Sequence, residues 1–230
     1  IERGHNTFWA PEILWAEGAY HMYVSYITGI PTDWEYPRQM LHYTSHNLWD
    51  WRFEGRIDLK SERVIDACVY EVAPHRYKMW YKESRTWAAE STDLYHWEVL
   101  GEEISDCAQE GPNVFELDGR IWMISDFWKG LAVYTSQDYT HWTRCDNILY
   151  ESGTRPMDVG LGHHADVVVK DGRAYIFYFC HPFACENGKQ PDAPAMSECG
   201  RNKAVVQVAQ LRVEGDNLVC DRNAQVSWEM

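Results

Sequence analysis

The sequence has no long apolar run and little positive charge, and each absence excludes a class of protein. No stretch of about 18 consecutive apolar residues occurs, which excludes a transmembrane helix. Among 230 residues there are 21 Lys and Arg against 35 Asp and Glu, a formal net charge of −14. A surface that binds nucleic acid or an anionic membrane needs a basic face, so we expect neither partner. A neutral sugar or polyol is compatible with this charge.

The sequence also lacks an initial Met and a recognisable signal peptide, since it begins at Ile1. We therefore expect an N-terminus that is processed, trimmed or cut from a longer chain. Seven cysteines is an odd number, and Cys68 and Cys180 lie in apolar runs typical of strands. This pattern favours buried free thiols over a disulfide framework and leaves the compartment open.

No stretch has a convincing helical period with caps, whereas two patterns repeat along the chain. The first is Ser-x-x-Leu/Tyr-x-x-Trp, which occurs at residues 45–51, 91–97 and 136–142. We interpret it as a structural turn that packs the edge of a repeated unit. The second is an apolar strand, a turn and an aromatic-rich strand, at residues 11–26, 67–82, 112–127 and 165–180. The dipeptides Asp118-Gly119 and Asp171-Gly172 are strong hairpin-turn signals.

Each repeated unit thus contains four antiparallel strands in roughly 45 residues, which is typical of a propeller blade. The sequence predicts an all-β fold, a single β-propeller domain over residues 1–230. The four visible blades are predicted at about residues 9–58, 66–104, 110–149 and 163–222. An all-β sandwich with coincidental internal similarity is the alternative.

The residues that begin the innermost strands are predicted to surround the propeller axis, because antiparallel strands alternate in direction. These residues are Trp9-Ala10, Asp66, Glu110 and His163-His164. We predict that Asp66 and Glu110 are structurally equivalent and point into one axial pocket, with the Gly-Pro after Glu110 fixing the entry of its strand. Two carboxylates and a histidine in an aromatic pocket suit acid–base chemistry on glycosides.

The loops between the second and third strands open on the same face and are rich in aromatic residues. Loops need no core filling, so aromatic side chains on them are more often used for binding. The predicted substrate-binding residues are Trp9, Trp34, Arg85, Trp87, Trp128, His163, His164 and His181. The long segment 181–202 is interpreted as a lid loop. Its cysteines, with Cys180 and His181, have a spacing that does not match a zinc site.

The motifs at the blade starts resemble those of five-bladed propeller glycoside hydrolases, closest to glycoside hydrolase family 43. They are WAPEI (9–13), VIDACVY (64–70), EGPNVF (110–115) and GLGHHADVV (160–168), in the family's order. The resemblance implies that Glu110 is the general acid that protonates the leaving oxygen. It implies that Asp66 is the aspartate that raises the pKa of this acid and orients it. Glu12 falls at a structural position where the family usually has Asp.

The general base of the family, an aspartate in the first blade, has no counterpart in this sequence. The five residues ahead of NTFWAPEI contain no Asp. We therefore expect that the first blade is missing, because the chain is a fragment, is degenerate, or is completed by a partner chain. Closure with four blades would need a new base, for which Glu2 and Asp33 are the candidates.

Cofactor and assembly follow from the resemblance only in outline. His163 matches a histidine near the axis that in several members helps to hold a calcium ion or its water. The predicted chemistry requires no cofactor, and a calcium ion near the axis at His163 is left open. Homo-oligomerisation is left open as well.

The leading hypothesis is an inverting glycosidase that removes a terminal sugar, with acid and base roughly 6.5–9.5 Å apart. A closed axial pocket would favour exo action on a chain end, and the resemblance implies arabinofuranosides, xylosides or galactosides in oligosaccharides or in plant or algal polysaccharides as substrates. One alternative is a non-catalytic carbohydrate-binding propeller. Another is a glycoside phosphorylase in which Arg38 and Arg85 bind phosphate.

Overall fold

The computed structural model describes residues 5–183 and 203–226, and the regular secondary structure of these residues is entirely β-strand. The strands form four antiparallel sheets of four strands each, and in every sheet consecutive strands are neighbours. The predicted all-β class, built of four-stranded propeller blades, is therefore confirmed. No helix capable of crossing a membrane occurs in the described residues.

The four sheets follow the predicted blade bounds closely. The first contains β1 (Asn6–Ala16), β2 (Ala19–Thr28), β3 (Gln39–Ser45) and β4 (Arg52–Ile57). The second contains β5 (Ile65–Ala73), β6 (Arg76–Lys82), β7 (Thr86–Ser91) and β8 (Glu98–Ile104). The third contains β9 (Glu110–Leu117), β10 (Arg120–Asp126), β11 (Leu131–Ser136) and β12 (Thr143–Arg144). The fourth contains β13 (His163–Lys170), β14 (Arg173–Cys180), β15 (Val205–Glu214) and β16 (Asn217–Cys220).

The two Asp-Gly dipeptides form the tight hairpin turns that the sequence predicted. Asp118 and Gly119 join β9 to β10 with φ of 52° and 71°, and Asp171 and Gly172 join β13 to β14 with φ of 51° and 73°. Positive φ at both central residues matches the right-handed twist of the flanking strands. Asp tolerates this conformation and Gly adopts it without steric cost.

The repeated Ser…Trp segment is a self-contained turn between the third and fourth strands of a sheet. In the first copy, Oδ1 of Asn47 accepts hydrogen bonds from the backbone N–H groups of Trp49 and Asp50, at 2.9 and 2.8 Å. Asp93 and Asp138 accept the same pair of bonds in the other two copies. Because these side chains satisfy the turn's own backbone donors, the interpretation of this repeat as structural is confirmed.

The chain divides into two compact units, residues 1–112 and 113–230, and the division falls inside β9. Each unit has its own apolar core. The core of the first unit includes Tyr23, Met40, Tyr77, Met79 and Leu94. The core of the second unit includes Trp122, Ile124, Val133, Ile176 and Ala209. A single domain over residues 1–230 stays a prediction.

Candidate functional site

The first strands of the four sheets share a backbone irregularity close to their first residues. β1, β5 and β13 each contain a β-bulge there, with one residue in the left-handed region: Ala10 (φ 41°), Asp66 (φ 56°) and His164 (φ 31°). In β9 the residue with this conformation is Gly111, at φ 57°. Asp66 therefore corresponds to Gly111, and the predicted equivalence of Asp66 with Glu110 is wrong by one residue.

The bulge gives Asp66 a setting unlike that of Glu110. Asp66 is buried, and its backbone N–H donates to Oγ of Ser25 at 3.0 Å. A side-chain-bearing residue held at positive φ is costly and persists where the surroundings fix it, often at functional sites. Glu110 instead stands on ordinary extended backbone as the first residue of its strand. The two carboxylates are thus presented by different backbone conformations.

Glu110 forms an ion pair that the sequence reasoning missed. Nζ of Lys82, the last residue of β6, donates to Oε2 of Glu110 at 2.6 Å. Both side chains are largely buried, with 18% of Lys82 and 19% of Glu110 exposed. Oε1 of Glu110 accepts no hydrogen bond from a described residue. The charged contact therefore fixes one oxygen of the carboxylate and leaves the other available.

An indole platform lies beside this ion pair. Trp34 comes from the loop between β2 and β3, is 63% exposed, and lies 5.8 Å from Trp9 between ring centroids. Nζ of Lys82 is 5.7 Å from the ring centre of Trp34. We call Trp9, Trp34, Lys82 and Glu110 the tryptophan–carboxylate cluster. It contains three of the elements a sugar site needs, which are a flat apolar surface, a carboxylate and a hydrogen-bond donor.

The guanidinium of Arg38 adjoins the same indole. Cζ of Arg38 lies 5.8 Å from the ring centre of Trp34, and Nη1 donates to the backbone carbonyl of Trp34 at 3.1 Å. The backbone N–H of Arg38 donates to the carbonyl of Glu62 at 2.7 Å. The side chain is buried, so the position of this charge beneath the loop is fixed.

Arg85 lies in the predicted loop between β6 and β7, whereas the prediction of a loop position for Trp87 is wrong. Arg85 is exposed and its Nη1 contacts Oε1 of Glu102 at 3.2 Å. Trp87 belongs to strand β7 and not to a loop, and it packs against the core of the first unit. A role for either residue in substrate binding stays a prediction.

In the second unit, a buried aspartate that the sequence reasoning did not single out organises the predicted histidines. Oδ2 of Asp126 contacts Nδ1 of His163 at 3.0 Å and accepts the backbone N–H of His164 at 3.1 Å. Oδ1 accepts the backbone N–H of Trp128 at 2.8 Å. A carboxylate with three such partners orients the imidazole of His163 and the backbone on both sides. In the sequence, the feature that could have identified Asp126 is its position at the end of β10, directly before the loop 127–130.

The aromatic neighbours of His163 complete a histidine cluster. Its ring lies 5.6 Å from that of Phe179 and 5.7 Å from that of His181. The side chain of Trp128 is 45% exposed. The structure thus brings His163, His181 and the backbone N–H groups of His164 and Trp128 together around or next to Asp126, and the role of these residues in substrate binding stays a prediction.

Metal binding stays a prediction. Within residues 5–183 and 203–226, no three His, Cys, Asp or Glu side chains are grouped so that they could hold a metal ion. Cys185, Cys199, Glu2 and most of the predicted lid loop lie outside the described residues. A calcium ion near His163 and a base at Glu2 are therefore untested.

Two clefts in the second unit contain none of the predicted site residues. One, of about 820 Å³, is lined by residues that include Arg120, His141 and Arg144. The other, of about 390 Å³, is lined by residues that include Tyr150 and Arg222. The axial pocket stays a prediction.

The fold is similar to that of solved glycosidases, although sequence comparison finds no relative. No family model matches the sequence, and no curated protein matches it. The crystal structure of an α-L-arabinofuranosidase from Lactobacillus brevis aligns with a TM-score of 0.69 at 16% identity, covering 99% of this chain and 80% of that one.

Two further structures extend the similarity. A family 43 β-xylosidase/α-arabinofuranosidase from a compost microbial metagenome, in complex with xylotriose and calcium-free, aligns with a TM-score of 0.64 at 14% identity, over 94% of this chain and 73% of that one. A structure from the family 130 mannoside phosphorylases, a family that contains glycoside hydrolases acting on β-1,2 mannosidic linkages in Candida mannan, aligns with a TM-score of 0.65 at 14% identity. That alignment covers 90% of this chain and 66% of the other. The fold is therefore that of the propeller glycosidases, and sequence does not assign the chain to family 43.

Proposed function

We propose that the protein is a glycoside hydrolase in which Glu110 is the general acid. The observation that supports this role is the tryptophan–carboxylate cluster, where an exposed indole stands beside a largely buried carboxylate whose Oε1 accepts no hydrogen bond from a described residue. The propeller glycosidase fold supports the same reading, and one similar protein was solved with xylotriose. The proposed substrate is an oligosaccharide or polysaccharide chain end.

The proposed reaction is a single displacement with inversion at the anomeric carbon. The apolar face of the terminal sugar stacks on Trp34, and Oε1 of Glu110 protonates the glycosidic oxygen as the bond from that oxygen to the anomeric carbon breaks. A water molecule attacks the opposite face and gives its proton to a general base. Asp66 positions the acid, as the family resemblance implies. Arabinofuranosides, xylosides and galactosides are the substrate classes to test first.

The general base is not assigned to a described residue. Asp33 lies in the loop that carries Trp34, but its Oδ1 accepts the backbone N–H of Glu35 at 2.9 Å in a local turn. Stabilising this turn is a sufficient structural reason for an aspartate at position 33. A base at Asp33 remains a proposal of lower rank than the acid at Glu110.

Non-catalytic carbohydrate binding is the second candidate function, and the Lys82 contact favours it. A general acid has to carry a proton, whereas the ammonium of Lys82 donates to the same carboxyl group at 2.6 Å. A binding protein would keep the indole platform and use Glu110 only as an acceptor for sugar hydroxyls. Turnover separates the two candidates.

Hydrolysis of a panel of aryl glycosides, with and without azide, tests the proposal. We expect turnover of at least one glycoside, and a fall of about 10²- to 10⁴-fold in Glu110→Gln for substrates that need a proton on the leaving group. The matched control is Glu98→Gln, an exposed glutamate at the start of β8, which should leave the rate unchanged.

Each result has a distinct meaning. Turnover only with azide would keep Glu110 as the acid and show that no base activates water in this chain. Turnover that depends on inorganic phosphate would replace hydrolysis by phosphorolysis. Sugar binding without turnover under all conditions would reject the hydrolase in favour of the binding protein.

A further inference from the structure

The two faces of the first sheet lie in different environments. One face is turned toward the second sheet, since the hydroxyl of Tyr23 donates to the backbone carbonyl of Leu94 at 2.7 Å. On the same face, Oε1 of Glu12 accepts the backbone N–H of Val69 at 2.9 Å. Side chains alternate between the two faces along a strand, and residues paired across neighbouring strands share a face. The strand register therefore identifies the residues of the opposite face.

The opposite face, which we call the outer face of the first sheet, is formed mainly by apolar and aromatic side chains. Ile13, Met22, Tyr43 and Phe53 are paired in a row that crosses all four strands. The rings of Tyr43 and Phe53 lie 5.2 Å apart between centroids, as expected for neighbours on one face. An uncharged row of large side chains thus runs from one edge of the sheet to the other.

Aromatic pairs flank this row on both sides. Phe8 pairs with Tyr26, and Trp15 pairs with Tyr20, with ring centroids 5.2 and 4.6 Å apart. Among the described residues that the register assigns to this face, none is Asp or Glu. Its one charged residue is Arg56 on the edge strand β4. The outer face therefore lacks the negative charge that predominates in the chain as a whole.

The side chains of the outer face expose a large apolar area. Phe8, Ile13, Trp15 and Phe53 are between 44% and 57% exposed. Together with their partly exposed neighbours they present about 500–700 Å² of surface, if a large side chain has roughly 150–250 Å² to bury. A monomeric protein rarely exposes a contiguous apolar patch of more than a few hundred Å², and a larger patch marks an interaction site.

Charge and shape indicate the kind of partner that fits this face. The surface of a β-sheet packs well against the surface of another sheet, at a separation of about 10 Å. A second copy of this chain carries such a surface. Each copy has a formal net charge of −14, so two copies repel each other wherever their carboxylates meet. The outer face has no carboxylate among its described residues, which allows two copies to approach there without like acidic charges in contact.

The area of the outer face is sufficient for a dimer. Two copies joined through it would bury about 1,000–1,400 Å² in total, and a specific interface needs about 1,000 Å² or more. A two-fold axis pairs the same surface of both copies, so apolar side chains meet apolar side chains. Such an arrangement also closes at two copies, because each chain uses its one outer face.

We propose that the protein forms a homodimer in which the outer faces of the two first sheets pack against each other about a two-fold axis. Phe8, Ile13, Trp15 and Phe53 become buried in the interface. Arg56 lies at its edge, where Nη2 is 3.7 Å from Oε1 of Glu62. None of these residues belongs to the tryptophan–carboxylate cluster, so the inference is independent of the proposed activity.

Sedimentation equilibrium of the full chain tests the proposal without any variant. We expect twice the mass of one chain at high concentration and dissociation on dilution, measured from about 1 to 100 μM because interfaces of modest area bind in the micromolar range or more tightly. A monomer at every concentration would overturn the proposal. Species that continue to grow beyond two copies would overturn the two-fold arrangement.

Variants locate the interface. Ile13→Glu places a charge on both copies at the interface, and we expect the dissociation constant to rise about 100-fold or more. Phe53→Glu, on the opposite edge strand, should have the same effect. Leu100→Glu is the matched control, because Leu100 is 50% exposed on β8 of the second sheet and receives the same charge. Far-UV circular dichroism confirms that each variant is folded.

The comparison of these variants decides whether the outer face is used. A dimer that persists in both Ile13→Glu and Phe53→Glu would overturn the proposal, as would a dimer that Leu100→Glu disrupts equally. Phosphatidylcholine vesicles test a lipid surface as the alternative partner. Cosedimentation of a monomeric chain with these vesicles, lost in Ile13→Glu, would replace the second copy by a lipid surface. A monomer that does not bind vesicles would leave the face to a different polypeptide and also overturn the homodimer.

Discussion

Nζ of Lys82 donates to Oε2 of Glu110 at 2.6 Å, and Oε1 of the same carboxylate has no donor among the described residues. One oxygen is thus held by the protein, and the other is open to a ligand. Lys82 itself is positioned at the end of β6 and lies against Trp34. The orientation of the proposed acid therefore depends on a residue with no counterpart in the motif comparison.

If Glu110 is the general acid, replacing Lys82 by Met should reduce proton donation more than binding, because the carboxyl group loses the hydrogen bond that holds Oε2 and thereby orients Oε1. For alkyl glycosides, which need a proton on the leaving oxygen, we expect kcat to fall about 10-fold, a fraction of the full contribution of a general acid. For dinitrophenyl glycosides, whose leaving group needs no proton, kcat should change less than about twofold by the same argument. Steady-state kinetics with both substrate types measures the split. Equal falls would mean that Lys82 only supports the fold.

Replacing Trp34 by Ala should weaken sugar binding. An aromatic stacking contact of about 0.5–1.5 kcal/mol corresponds to a loss of roughly 2- to 10-fold in affinity. Trp49→Ala is the matched control, because Trp49 is 86% exposed in the turn between β3 and β4. Calorimetric titration with the best-bound sugar distinguishes the two variants. Similar losses in both would argue against a platform at Trp34.

Replacing Asp158 by Asn should destabilise the second unit strongly. Its carboxylate is fully buried and bonds to Arg222, to Nη2 of Arg155 at 2.9 Å and to the hydroxyl of Tyr178 at 2.9 Å. Removing one partner of a buried ion pair costs about 3–5 kcal/mol in the free energy of unfolding. Urea unfolding gives this value.

The control for that experiment is Asp216→Asn. Asp216 pairs with Arg120 at 3.0 Å, but its side chain is 94% exposed. An exposed pair contributes about 0–1 kcal/mol. A loss at Asp216 as large as that at Asp158 would contradict the assignment of stability to the buried network.

The stability of the first unit should fall as the pH falls below 6.5. His21 and His42 are buried and hydrogen-bonded at 2.9 Å between Nδ1 and Nε2. Burial lowers the pKa of His42 to about 3 and also lowers the pKa of His21, from an ordinary value of 6.5. The unfolded chain therefore binds more protons than the folded chain below pH 6.5. The free energy of unfolding should fall by up to about 1.4 kcal/mol per pH unit through His42, and His21 adds to this fall.

The window between pH 6.5 and 4.5 isolates this effect. The carboxylates with lowered pKa, such as Glu17 and Asp93, destabilise the fold only when the pH approaches their ordinary values of 4.5 and 3.8. Urea unfolding at three pH values gives the slope, which should be shallower in His42→Gln. His96→Gln is the control, with a side chain 90% exposed. An unchanged slope in His42→Gln would contradict the prediction.

Local sequence chemistry was sufficient to predict the strands and turns. Asp118-Gly119 and Asp171-Gly172 form hairpin turns because both residue types adopt positive φ readily. The Ser…Trp segments form turns because a side chain within each segment binds its backbone N–H groups. The blade bounds followed, because strand and turn signals alternate at a constant period. These features depend on residues that are close in the chain.

The site was predicted less completely because it depends on contacts between distant residues. Asp66 stands at the positive-φ position near the start of its strand and Glu110 stands one residue before that position in its own strand, and no motif reveals this offset. Lys82 is 28 residues from Glu110 and lies in a strand most of whose residues are buried. Asp126 meets His163 only through the packing of β10 near β13. Such pairings are set by sheet geometry and not by local pattern.

The turns centred on Asn47, Asp93 and Asp138 each bind two of their own backbone N–H groups through one side chain of the turn, whichever sheet they close. A turn of this kind can be transferred from one sheet to another. Grafting residues 91–97 in place of 45–51 or 136–142 should leave the host sheet folded. The same property favours the growth of a chain by duplication of the four-stranded unit, because every copy carries the side chain that stabilises its own turn.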